Sequence, residues 1–119
     1  MVKLRNTGTF TISTGTITAS GNYLTDPLDC QGLEGFFSLE WIVTGDGTCK
    51  IEVLPSNDGS NYPDVEPDIA SSQTKTSGPA ADGINMDSFQ PIPCNFMKLL
   101  FTETGGVNAV AVTARLRAN

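Results

Sequence analysis

The sequence predicts an all-β fold: one antiparallel β-sandwich of about eight strands, with a jelly-roll winding as one of its arrangements. Three observations lead there. Short runs alternate apolar and polar residues with period two and are rich in β-branched side chains. Clusters of Gly, Pro, Asn and Asp separate the runs. No stretch repeats apolar residues at i, i+3, i+4 and i+7, so no amphipathic helix is expected. At 119 residues the chain is the size of one domain with one core. Within that domain, residues 1–20 read as an N-terminal strand segment able to dock on a neighbour, and residues 21–119 as the sandwich proper.

The elements follow in order. In Thr9 to Ser20, Phe10, Ile12 and Ile17 alternate with Thr and Ser, and Gly15 marks a bulge or turn between two short strands. Asp26-Pro27 breaks the next stretch, and a short strand follows at Leu28 to Cys30. Phe36 to Thr44 is the clearest strand, with Phe37, Leu39, Trp41 and Val43 on the core face. Gly45-Asp46-Gly47 predicts a hairpin, with Thr48 to Leu54 returning beside it and Cys49, Ile51 and Val53 inward. That register would pair Glu40 with Lys50 across the strands. Residues 55–68 read as a loop and residues 71–83 as a second, with Val65 to Ile69 as a short edge strand between them, blunted by Pro67. Ile84 to Phe89 is a weaker strand. Phe96 to Thr102 alternates again, with Met97, Leu99 and Phe101 on one face. Gly105-Gly106 predicts a second hairpin, and Val110, Val112, Ala114 and Leu116 line the inner face of the last strand.

Composition removes several functions. The net charge of −6 and pI near 4.3 leave no basic footprint for nucleic acid. The chain contains no His, so Ser-His-Asp and Cys-His catalysis and every His-containing metal site are excluded. Cys30, Cys49 and Cys94 form no CxxC pair and read as small buried apolar residues in a reducing compartment, with a Cys30–Cys94 or Cys49–Cys94 disulfide as the lesser reading. The opening "MVKLRNTGTF" has no apolar core of the signal-peptide kind, and no run of roughly 18 apolar residues exists to span a membrane. The chain is expected to be made in the cytoplasm, without cofactor, and not to be an enzyme.

The carboxylates are the chemically suggestive set. Asp58, Asp64, Glu66 and Asp68 crowd one loop region, and calcium takes such hard oxygen ligands. The EF-hand spacing is absent, and the alternation of Asp64, Glu66 and Asp68 with Val65 and Pro67 is that of a solvated face. A pair of carboxylates suffices for a glycosidase, but nothing in the spacing places two together. Asn57, Asp58, Asn61 and Tyr62 are residue types of a carbohydrate contact and equally of a tight turn, which is the stronger reading. Of the other aromatic side chains, Trp41 lies on the core face, while Tyr23 and Phe89 could join a stacking platform.

The stretch "TITASGNYLTDPLDCQGLEGF", through Thr16, Ile17, Ser20, Gly21, Leu28, Asp29, Gly32, Leu33 and Gly35, resembles the opening of small structural proteins of tailed phages and prophages. "VLPSNDGSNY", "FMKLLFTETGG" and "VAVTARLRAN" stand where that family has its later segments. The resemblance implies a non-enzymatic virion component, foremost a capsid decoration or accessory subunit, or else a tail or neck protein. Its partners would be the major capsid or other virion proteins and copies of itself, with no nucleic acid and no membrane, and its location the virion. Lys3, Arg5, Phe10 and Ile12 would then form an assembly segment added to a neighbouring sheet. The alternative is a carbohydrate-binding sandwich with Asn57, Asp58, Asn61 and Tyr62 in its site.

Overall fold

The computed structural model describes residues 1–63 and 68–119. Its strands are β1 (Val2–Lys3), β2 (Thr9–Ile17), β3 (Asn22–Leu24), β4 (Leu28–Asp29), β5 (Phe37–Gly45), β6 (Cys49–Ser56), β7 (Ala70–Gln73), β8 (Ile84–Phe89), β9 (Phe96–Glu103) and β10 (Val110–Ala118). One sheet has the order β1-β4-β9-β6-β7, with β3 also on β9; the other has the order β2-β10-β5-β8. Every pairing is antiparallel except β1 with β4 and the bridge between Asn6 and Ala118. The all-β sandwich read from the sequence is the fold.

Alternation explains the core. Phe37, Leu39, Trp41 and Val43 of β5, the even-numbered residues Val110 to Ala118 of β10, and Ile12 and Ile17 of β2 form one inner face. Cys49, Ile51 and Val53 of β6, Met97, Leu99 and Phe101 of β9, and Leu28 of β4 form the other. Each Val, Leu, Ile, Phe or Met side chain among them, fully removed from water, contributes about 1.5–3 kcal/mol against the exposed state. Leu4 joins the same core, so the first twenty residues pack on their own chain.

The two connections predicted as hairpins are not hairpins. β5 and β6 lie in different sheets, as do β9 and β10, so Gly45-Asp46-Gly47 and Gly105-Gly106 are arches that carry the chain across the sandwich. The glycines serve the contact between the arches: a Cβ on Gly47 would stand 2.7 Å from the Asn108 carbonyl and 2.8 Å from that of Ala109, while the Gly47 N–H donates to Ala109 O at 2.9 Å. With β5 and β6 apart, Glu40 cannot meet Lys50. Glu40 pairs with Arg115 at 2.7 Å on its own sheet, and Lys50 with Glu52 at 3.3 Å.

Glu103 locks this end. Its carboxylate is 2% exposed and accepts N–H bonds from Ser20 (3.0 Å), Thr48 (2.9 Å), Gly105 (2.7 Å) and Gly106 (2.7 Å). Three separate connections are tied to one side chain. The Ser20 N–H first, then those of Thr48 and Gly106, pull its pKa from 4.5 to about 2 against the opposing effect of burial.

Smaller differences have local causes. Gly15 belongs to a bulge within one strand rather than to a turn between two: β2 slips register against β10 there, and the Thr14 hydroxyl accepts the Val112 N–H at 3.0 Å in place of a backbone carbonyl. Ser71 to Gln73, read as loop, pair with β6 as part of β7. The edge strand expected over Val65 to Ile69 falls largely on residues 64–67, outside the described residues.

Candidate functional site

Two surface features concentrate chemistry. The first is the loop after β6. Asp58 organises it: Oδ1 accepts from the Ser60 N–H (2.8 Å), the Asn61 N–H (2.9 Å) and the Ser56 hydroxyl (3.0 Å), and Oδ2 from the Asn61 amide (2.7 Å). These donors, the Asn61 N–H foremost, hold the Asp58 carboxyl well below the usual carboxylate range. Tyr62 donates its hydroxyl to Gly59 O at 3.2 Å, and Lys98 Nζ lies 4.4 Å from the centre of its ring. Asn95 donates its amide to Asn57 O at 3.1 Å. The structure thus brings Asn57, Asp58, Asn61 and Tyr62 together, but as partners of one another. Asp58 already accepts four hydrogen bonds, and one face of the Tyr62 ring carries Lys98. The loop is a fixed shape with exposed amides at Asn57 and Asn61.

The second feature lies along β8 and had no sequence prediction. A groove of about 440 Å³ runs beside this strand, walled by Glu40, Gln73, Asp82, Ile84, Met86 and Asp87 among others. Ile84 and Met86 of β8 face outward, 43% and 68% exposed, while Asn85 is buried and Phe89 packs on the core. Polar residues can face inward here because each has a partner. Asn85 donates its amide to Gly83 O at 3.0 Å, and Asp87 accepts the indole N–H of the fully buried Trp41 at 2.7 Å. The one available signal was the polarity of Asn85 and Asp87 opposite Trp41, whose indole needs an acceptor. Finding it requires the β5–β8 register.

The other candidates are dispersed. Ile12 is buried in the core, Phe10 is half-buried against it, and Lys3 and Arg5 are exposed, with Lys3 donating to Asp29 and to the Gln31 carbonyl. Tyr23 packs edge-on against Phe101 (6.2 Å) and Phe89 stacks on Phe37 (5.2 Å), so neither joins Tyr62 in a platform. Burial pushes the Cys30 and Cys49 thiols up to about 12, which makes them poor nucleophiles at neutral pH. Among the described residues no three His, Cys, Asp or Glu side chains gather as a metal site would require. Asp64 and Glu66 lie outside the described residues.

No protein-family model matches the chain, and no curated protein matches it by sequence. Among solved structures it is similar to the Aeromonas hydrophila protein PliG, a periplasmic inhibitor of g-type lysozyme, with a TM-score of 0.54 and 10% identity over 99% of this chain and 95% of that one. It is also similar to part of the infectious bursal disease virus structure, with a TM-score of 0.50 and 9% identity over 93% of this chain and 31% of that one. At such identities these likenesses establish the sandwich fold.

They also correct the phage reading. PliG, which is similar over 99% of the chain, is a periplasmic inhibitor and no phage virion protein. The capsid-decoration role, the capsid, virion and self-assembly partners, and the virion location fall with it. The physical reason for the false resemblance is plain. Leu28 is core, Gly32 and Gly35 have φ of +85° and +93°, and Asp58 and Gly59 build a turn. Such positions recur wherever strands of a sandwich must turn.

Proposed function

We propose that the protein is a non-enzymatic β-sandwich that works by binding another protein, as an inhibitor does. The groove beside β8 carries this reading, because it joins exposed Ile84 and Met86 to the carboxylates of Glu40, Asp82 and Asp87 in one concavity of about 440 Å³. Exposed large apolar side chains rimmed by charge are the usual composition of a contact surface. The likeness to a lysozyme inhibitor supports it and makes a g-type lysozyme the first partner to test. The experiment titrates the full chain into a g-type lysozyme acting on bacterial cell walls. Stoichiometric loss of lysis, relieved by Met86→Lys, is the expected result. Unchanged lysis, with no complex in sedimentation, would sink the reading for that partner.

A second reading is kept by one observation, the loop that Asp58 pre-shapes. A rigid loop presenting Asn57, Asn61 and Tyr62 suits a carbohydrate ligand, since little ordering entropy remains to be lost on binding. Glycan-array binding that disappears with Tyr62→Ala supports it, and a blank array removes it.

A further inference from the structure

The register of β8 against β5 shows which backbone groups β8 leaves unused. Val43 donates its N–H to Gly83 O at 3.0 Å, so the odd-numbered residues of β5 turn their backbone groups toward β8. Their partners Asn85, Asp87 and Phe89 face them. Ile84, Met86 and Ser88 therefore turn their N–H and C=O groups away from the sheet. The Ile84 end is covered: its N–H donates to Asp82 Oδ1 at 3.1 Å, and Gly78 lies so close that a Cβ there would stand 2.2 Å from the Ile84 carbonyl. For Met86 and Ser88, no second strand pairs with β8 among the described residues.

Two hollows flank this stretch. One is the 440 Å³ groove; the other, about 220 Å³, continues past Ser88 along Asp68, Ile69, Phe89 and Gln90. Their walls hold Glu40, Asp82, Asp87 and Asp68 and no Lys or Arg. Arg115 contacts Glu40 from the neighbouring strand, leaving the aspartates in excess.

We propose that β8 is an acceptor edge, on which an extended basic segment of a partner protein adds as a further strand of the β2-β10-β5-β8 sheet. The segment pairs with the backbone of Met86 and Ser88. Its apolar side chains lie beside Ile84 and Met86, and its alternate Lys or Arg side chains turn toward Asp82 and Asp87. Charge selects the occupant: an acidic strand would meet only like charge there. The inference rests on the reading of the protein as a protein-binding module.

The test uses the full chain and a capped hexapeptide, Lys-Val-Lys-Val-Lys-Val, with Glu-Val and proline-interrupted counterparts. Amide hydrogen exchange and calorimetry are the readouts. The Lys peptide slows exchange at Met86 and Ser88, and its affinity falls several-fold in Asp82→Asn and in added salt. This substitution keeps the shape and the acceptor oxygen for the Ile84 N–H. Equal binding of the Glu peptide, or saturating Lys peptide with no protection at these two amides, overturns the proposal. A lysozyme complex that leaves the two amides unprotected overturns the acceptor edge but keeps the binding reading. Peptide binding at β8 with no lysozyme complex does the reverse.

Discussion

Glu103 shows how one residue can hold several connections at once. Its carboxylate receives N–H groups from Ser20, Thr48, Gly105 and Gly106. An amide in its place keeps one acceptor oxygen and turns the other into a donor facing N–H groups. Glu103→Gln is therefore expected to lower the melting temperature clearly, while an exposed control such as Glu34→Gln does not. The pH dependence carries a second signature. The native pKa is about 2 against an ordinary 4.5, so the unfolded chain binds the proton more readily. The stabilisation is complete above about pH 4.5 and is lost as the pH falls toward 2. Urea unfolding between those values should show a shallower pH slope for Glu103→Gln than for the native chain. Equal slopes would mean that Glu103 does not carry this acid sensitivity. None of this was legible in "FTETGG", because two of the four donors come from residues 20 and 48, which only the folded sandwich brings near.

At the scale of elements, the strands were legible and the sheets were not. Alternation over residues 37–43, 97–101 and 110–116 identifies each inner face correctly, because burial of one face acts locally on the pattern. Whether the chain turns back in one sheet or arches to the other depends on which distant strand accepts it, and Gly45-Asp46-Gly47 suits both. Here β10, from the far end of the chain, takes the place beside β5 that a hairpin would give to β6. β8 spans the residues read as a strand, but its inner face was not legible, because inward Asn85 and Asp87 are polar and satisfied by partners that only the fold supplies. The arch makes its own prediction. At Gly47 the neighbouring atoms are backbone carbonyls of 108 and 109, which cannot swing aside. Gly47→Ala should cost roughly 1–3 kcal/mol in urea unfolding, as overpacking does. A hairpin turn free of the second arch would tolerate the methyl, so a loss below about 0.5 kcal/mol, the range of ordinary surface substitutions, would count against the packed arches.

The two sides of the molecule differ in size of opening: a hollow of about 100 Å³ lies beside β1 and β2, and one of about 440 Å³ beside β8. β1 and β2 are the edges at one side; β7 and β8 are the edges at the opposite side. Residues 4–8 stitch the first pair together. Leu4 is 3% exposed and donates its N–H to Asp29 O at 3.0 Å, Asn6 bridges to Ala118, and Thr7 donates to Ala118 O at 2.8 Å. At the other side the connection after β7 bonds to the start of β8, through the Gly83 N–H on Ser77 O at 2.8 Å, and the groove opens beside the rest of that strand. The sequence reading takes residues 1–20 as a segment docking on a neighbour, with Lys3, Arg5, Phe10 and Ile12 in the contact. Burial of Leu4, Ile12 and Ile17 gives the same residues a place within their own sandwich. The two roles predict different outcomes for deletion of residues 1–8. A docking arm would leave monomer stability untouched. A stitch that buries Leu4 should cost at least what a buried Leu→Ala change does, about 2–5 kcal/mol. Leu4→Ala alone should reproduce much of that loss, whereas Lys3→Ala and Arg5→Ala, both exposed, should shift stability by less than about 0.5 kcal/mol. Chemical denaturation of the four variants decides between the roles. Full stability after deletion would remove the stitch.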